Sequence, residues 1–129
     1  MIYLAGPING CTNEQANNWR DIAKGLWGED RCLDPMRRDY RGREDESVNG
    51  IVHGDKADIL ASDVVLANCW QVSVGTSMEI AFAWQWGKPV IAIVPKDAQI
   101  SPWLRYHTLA IVHSLEEANE FMLDEGLIT

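Results

Sequence analysis

Between residues 73 and 79 the chain reads Ser73-Val74-Gly75-Thr76-Ser77-Met78-Glu79, in which hydroxyls and a glycine run into a carboxylate. The stretch passes straight into a helical pattern read as Ser77–Trp86. The first backbone N–H groups of a helix have no partner within it, and its dipole is positive at that end. Such an end is a natural anion site. Ser73, Thr76 and Ser77 add hydroxyl donors, and Glu79 falls in the first turn. The bland reading is as simple: Thr76-x-x-Glu79 matches a capping box, in which Glu79 only bonds back to the cap. Tyr3, Gly6-Pro7 and Asp55 each admit an equally ordinary reading, as a strand residue, a turn and a solvated helix residue.

What could lift these residues above the ordinary is where the chain must put them. Ile2–Ala5 is a short apolar run that stops at Gly6-Pro7, a strand meeting a loop. Asn13–Trp27 has helical spacing, with Asn13 as a possible cap. Cys32-Leu33 is a weak second strand, and Asp34 to Asn49 reads as a mobile polar loop. Gly50–Ala61 is helical, and Asp63–Asn68 holds the buried-strand run Val64 to Ala67. The helix Ser77–Trp86 closes at Gly87. Pro89–Val94 and Leu109–Val112 are strands, a helical turn lies around Trp103 to Tyr106, and Leu115–Leu123 is a closing helix.

This alternation predicts one α/β domain over residues 1–129, a flavodoxin-like, Rossmann-like three-layer sandwich. Right-handed crossovers and five strands suggest a parallel sheet in the order 2-1-3-4-5. Strands 1 and 3 are then neighbours across the switch point, where ligands bind outside the carboxyl ends of the strands. The loops Gly6 to Thr12 and Cys69 to Thr76 must meet there, bringing Tyr3, Gly6, Ser73 and Glu79 to one crevice.

Composition narrows the partners. A net charge of −8 argues against nucleic acid, because the one basic cluster, Arg37 to Arg43, is interleaved with acids. That cluster reads as a solvated loop or as a lid over a phosphate. No apolar run approaches the ~20 residues of a membrane span, and the amino terminus lacks a leader pattern, so a cytoplasmic location is expected. Cys11, Cys32 and Cys69 are widely spaced, and neither they nor the histidines show metal spacing; no metal or cofactor is expected.

Three segments together resemble the nucleoside 2-deoxyribosyltransferase superfamily. Ile2-Tyr3-Leu4-Ala5-Gly6-Pro7 is similar to its opening motif. Asp55, then Ala61 to Ala67, is similar to its central helix and strand. Gly75 to Ala83, followed by Gly87-Lys88-Pro89-Val90, is similar to its nucleophile helix and fourth strand. The match covers roughly residues 1 to 95. The resemblance implies that Glu79 attacks the anomeric carbon of a nucleoside or nucleotide and displaces the base through a covalent glycosyl intermediate. It implies that Tyr3 orients Glu79, and that Asp55 contacts the sugar or helps protonate the departing base. It also implies a homodimer or larger assembly with a shared site.

One departure is informative. Transferases of the superfamily tend to carry aspartates before the glycine, where this chain has Trp70-Gln71-Val72-Ser73. Ser73 stands where its nucleotide N-glycosidases place a phosphate-binding serine. The resemblance therefore implies hydrolysis of a nucleoside 5′-monophosphate. Ser73, Gly75, Thr76 and Ser77 would hold the phosphate from one side and Gly6, Pro7, Ile8, Asn9 and Gly10 from the other. Trp70 would stack on the base or anchor the loop. The tryptophans on the helices, Trp19, Trp27, Trp84 and Trp86, read as core or interface. Two alternatives stay open: a deoxyribosyltransferase that exchanges bases, and a nucleotide-binding sensor without turnover.

Overall fold

The computed structural model describes Met1–Thr129. Five short apolar runs pair as parallel strands: β1 (Ile2–Ala5), β2 (Cys32–Leu33), β3 (Val64–Asn68), β4 (Val90–Ile93) and β5 (Ala110–Val112). Their order is β2-β1-β3-β4-β5, as expected from the sequence. Between and after them run α1 (Asn13–Trp27), α2 (Val48–Ala61), α3 (Val74–Gln85), α4 (Pro102–Tyr106) and α5 (Leu115–Asp124). No helix is long and apolar enough to cross a membrane.

Strand periodicity of two then sorts the core into two halves. Ile2, Leu4, Val64 and Leu66 face α1 and α5 with Trp19, Ala23, Trp27 and Met122. Tyr3, Ala5, Val65 and Ala67 take the opposite face with Ile59 of α2 and Ile80 and Ala83 of α3. The register pairs Tyr3 with Val65. Tyr3 therefore points toward α3 by the same alternation that buries Leu4 against α1. Trp19 and Trp27 are core, Trp84 packs at the edge of the second half, and Trp86 is exposed.

Several boundaries differ from the sequence reading, and the starts of three long helices matter most. α1 is capped by Thr12, one residue before Asn13, because Thr12 and Gln15 form a reciprocal capping box. α2 begins at Val48 rather than Gly50. α3 begins at Val74, three residues before Ser77, because the Ser73 hydroxyl accepts from Thr76 N–H and serves as the cap. The predicted mobile loop is instead a strap with two single helical turns, Pro35–Arg37 and Glu44–Glu46. Three of its arginines are paired with carboxylates rather than left to solvent. Arg37 and Arg38 bind Asp58 at 2.7 and 2.8 Å, and Arg41 binds Asp39 at 2.7 Å.

β1 ends where Gly6 lies beneath α1. A Cβ on Gly6 would sit 2.7 Å from Trp19 Cζ2 and 3.3 Å from the Arg20 guanidinium. Both neighbours are buried, so neither can give way. Gly6→Ala is expected to lower stability by about 1–3 kcal/mol, the usual cost of overpacking. Urea denaturation followed by tryptophan fluorescence measures it.

Candidate active site

Tyr3 is completely buried, and its phenol donates a hydrogen bond to Glu79 Oε2. The longer α3 moves Glu79 from the first turn to the second. The capping-box reading of Thr76-x-x-Glu79 therefore fails: Ser73 is the cap, and the Glu79 carboxylate is engaged by the strand instead. Glu79 keeps one side open to a cleft of about 170 Å³ at the carboxyl ends of β1 and β3. Gly6, Ile8 and Asn9 wall the cleft from the β1–α1 loop, and Ser73, Gly75 and Thr76 wall it from the start of α3. Asp55 enters from α2, and Met36, Arg38, Asp39, Tyr40, Arg41 and Glu44 enter from the strap.

Other candidates lie elsewhere. Pro7 is fully buried beside the cleft rather than lining it, and Gly10 forms the turn beyond it with φ of +77°. The Ser77 hydroxyl donates back to the Ser73 carbonyl at 2.8 Å and faces away. Trp70 lines a separate hollow with Val94, Pro95 and Leu104, so its ring is not a wall of the Glu79 cleft. A loop anchor, the alternative weighed for Trp70, matches that placement. Its indole N–H is buried without a partner.

Electrostatics single out the carboxylates. Burial pushes Glu79 up to about 8, with Asp55 adding to the rise, while the Tyr3 hydrogen bond and Arg20 oppose it. Burial raises Tyr3 well above its ordinary range, so it stays a phenol and a donor. Burial also raises Asp55, against the pull of Arg38. Asp58 is lowered, since its pairs with Arg37 and Arg38 outweigh its burial. The strap is the cleft-lining element that the sequence reading left open between a solvated loop and a lid. Arg38 donates to Asp55 at 3.3 Å and to Asp58 at 2.8 Å. A signal for it existed: Gly50 and Gly54 are four apart inside a helix, where glycine is costly.

A buried carboxylate held by a phenol, facing a cleft whose rim is a helix amino terminus, is the arrangement of an enzyme that works on a small molecule. The chain belongs to the nucleoside 2-deoxyribosyltransferase family, whose pattern matches residues 2–125. Among solved structures it is similar to the 2-deoxyribosyltransferase of the psychrotolerant bacterium Bacillus psychrosaccharolyticus. That likeness has a TM-score of 0.72 at 19% identity over 91% of this chain and 88% of the other. It is also similar to the CMP N-glycosidase BcmB of Clostridium botulinum, with a TM-score of 0.63 at 19% identity over 95% and 97%. No protein of curated function matches the chain in sequence. The family is named for nucleoside 2-deoxyribosyltransferases, and this chain stands in it as an enzyme.

The raised Glu79 has a thermodynamic consequence. In the unfolded chain Glu79 ionises near 4.5; in the fold it keeps its proton to about 8. Between those values the folded state binds more protons, so its stability falls as pH rises. Glu79→Gln removes that penalty and keeps an acceptor for Tyr3. The variant is expected to melt higher than the parent at pH 8, by on the order of a few kcal/mol, and level with it near pH 4. Calorimetric melts across that range test it; equal Tm values at pH 8 contradict it.

Proposed function

We propose that the protein hydrolyses the N-glycosidic bond of a nucleoside 5′-monophosphate, giving free base and a pentose 5-phosphate. The observation that carries the proposal is the Glu79 carboxylate, held by Tyr3 on the floor of the cleft, beside the amino terminus of α3. In this reading the 5′-phosphate sits against the Gly75 N–H, the Ser73 hydroxyl, which can donate while it caps Thr76, and the Gly6 to Asn9 wall. That places the anomeric carbon over Glu79. The ionised carboxylate attacks it, the bond to the base nitrogen breaks, and the departing base takes a proton from solvent, which the later attack of water returns. Water then releases the sugar phosphate and restores the carboxylate. Asp55 stands beside the sugar, and the strap forms the wall left to the base. Pro7 and Gly10 shape the phosphate loop from behind.

A second reading has its own support. The strap and α2 bring Asp39, Glu44 and Asp55 to the cleft with Glu79, against Arg38 and Arg41 alone. Both arginines are already paired. That balance suits an uncharged nucleoside better than a nucleotide, and with it the base-exchange reaction of a deoxyribosyltransferase. The third reading, a sensor without turnover, is disfavoured by Tyr3 holding Glu79 as a reactive carboxylate rather than as a cap.

We also propose that the working unit is a homodimer. An apolar groove between α2 and α3, lined by Val52, Ile59, Met78 and Phe82, opens directly onto Asp55 and Glu79. Val52 and Met78 are exposed along it. A second copy on this face would close the site against water. Met78→Asp is expected to give a monomer by sedimentation and to lose at least ~10-fold in kcat/KM, as water enters the site.

The deciding assay incubates ribo- and deoxyribonucleoside monophosphates, and the matching nucleosides, with the protein and separates released base by chromatography. Nucleotides are expected to be the better substrates, and Glu79→Gln to release no base. With the parent, kcat/KM is expected to rise with pH to a plateau above about 8, since only the ionised Glu79 attacks. Tyr3→Phe removes the hydrogen bond that favours the carboxylate, so it moves that inflection upward. Preference for nucleosides, with base exchange on adding a second base, selects the transferase. Near-normal turnover by Glu79→Gln overturns the covalent mechanism.

A further inference from the structure

Arg38 takes no part in the reaction as described, yet the chain makes room for it at a cost. Gly54 lies in the interior of α2, where a Cβ would stand 2.9 Å from Arg38 Nε and 3.1 Å from Cζ. One turn earlier, a Cβ at Gly50 would stand 3.2 Å from the Tyr40 hydroxyl. Two glycines on one stripe of α2 therefore form the seat of the strap. The seated guanidinium donates through Nη2 to Asp55 Oδ1 and to Asp58 Oδ2. Asp58 is anchored on its other oxygen by Arg37. Asp55 Oδ2 has no partner within the chain, and Asp55 lines both the Glu79 cleft and the α2–α3 groove.

We propose that Arg38, seated on Gly54, is a positioning residue for Asp55: it pins one carboxylate oxygen and its charge, so that the other oxygen is offered to the substrate as an acceptor. The inference rests on the N-glycosidase or transferase reading of the cleft, and it deepens that reading. It assigns Asp55 to a hydroxyl of the sugar rather than to protonation of the base, because a carboxylate held ionised accepts and does not donate. The groups that act on Asp55 come from every side: Arg38 from the strap, Asp58 from α2 itself, Glu79 from α3 and Arg20 from α1. Burial and Asp58 work against its charge; Arg38 is the main group working for it. Glu79 shares the cleft, and with both carboxylates there the charge on Asp55 depends on Arg38 staying in place.

The test uses two variants that dislodge the guanidinium by different means. Arg38→Met removes it. Gly54→Ala keeps every charge and improves helix propensity, but puts a methyl group where the guanidinium lies. The Asp55 titration is read by carboxyl-carbon NMR in the full-length protein, which needs no substrate. In both variants the Asp55 midpoint is expected to move up by about one pH unit. Below the Glu79 inflection, the second and steeper acid limb of kcat/KM that Asp55 sets is expected to move with it, while Arg38→Lys, with charge but no fork, falls between. A merely structural Arg38 would lower Tm and leave the titration where it was, and that result overturns the proposal. So does a titration that moves while the pH profile of kcat/KM stands still. If no substrate releases base, the reading of the cleft has failed, and the titration still decides whether Arg38 governs Asp55.

Discussion

The wall of the cleft depends on one buried cation. Arg20 has no solvent exposure, and its guanidinium donates to the carbonyls of Leu4, Gly6 and Ala16. Its Nε lies 3.6 Å from Asp34, at the end of β2. Leu4 and Gly6 bracket the last residue of β1, so this one group ties α1, β1 and the start of the strap together at the carboxyl edge of the sheet. Strand carbonyls that run out of ladder partners must find donors or water. Arg20 supplies donors and keeps water out. Burial lowers its proton affinity, but Asp34 opposes that and an arginine remains charged in any case. The same charge then lies beneath Tyr3 and Glu79 and favours the carboxylate there.

From that edge the site follows almost by geometry. Alternation along β1 sends Leu4 to the α1 face and Tyr3 to the α3 face. Parallel pairing with β3 fixes Tyr3 beside Val65, and the helix that follows β3 must cross over that residue. Glu79 has its carboxylate there because Ser73 starts α3 one turn earlier than the hydroxyl-rich stretch suggests. Two opposing demands meet at Glu79. In the proposed mechanism burial shields the bond to be broken but favours the neutral acid, which is not a nucleophile. Tyr3 and Arg20 restore part of the balance, one as a donor and the other through charge. A reactive carboxylate in a dry cleft needs both.

The sheet order was legible in the sequence because it follows from the alternation of apolar runs and amphipathic stretches, which local patterning carries. The meeting of Tyr3 and Glu79 was legible only through that order, since no local feature links residues 3 and 79. The cap was misplaced for a physical reason. Ser73, Thr76 and Ser77 can each cap a helix, and the choice is made by where β3 ends and the chain turns, which spacing does not encode. The strap was misread because interleaved charges look the same whether solvated or paired. Asp58 and Asp55, which bind Arg37 and Arg38, lie about twenty residues on in another element.

The charge of the strap bears on the chemistry as well as on the reading. An anion lid needs cations with unfilled donors, held where the ligand arrives. Arg37 and Arg38 are turned toward Asp58 and Asp55, and Arg41 closes on Asp39 with hydrogen bonds to both carboxylate oxygens. A phosphate entering here would meet arginines whose charge is already compensated by a carboxylate, and would gain less from each than from an unpaired cation. At the amino terminus of α3 it meets the Gly75 N–H, which no side chain caps. The strap is therefore better suited to hold Asp55 and to face an uncharged base than to grip a phosphate. Any phosphate affinity must come from Gly75, Thr76 and the β1–α1 loop, whose donors are backbone N–H groups and hydroxyls rather than cations.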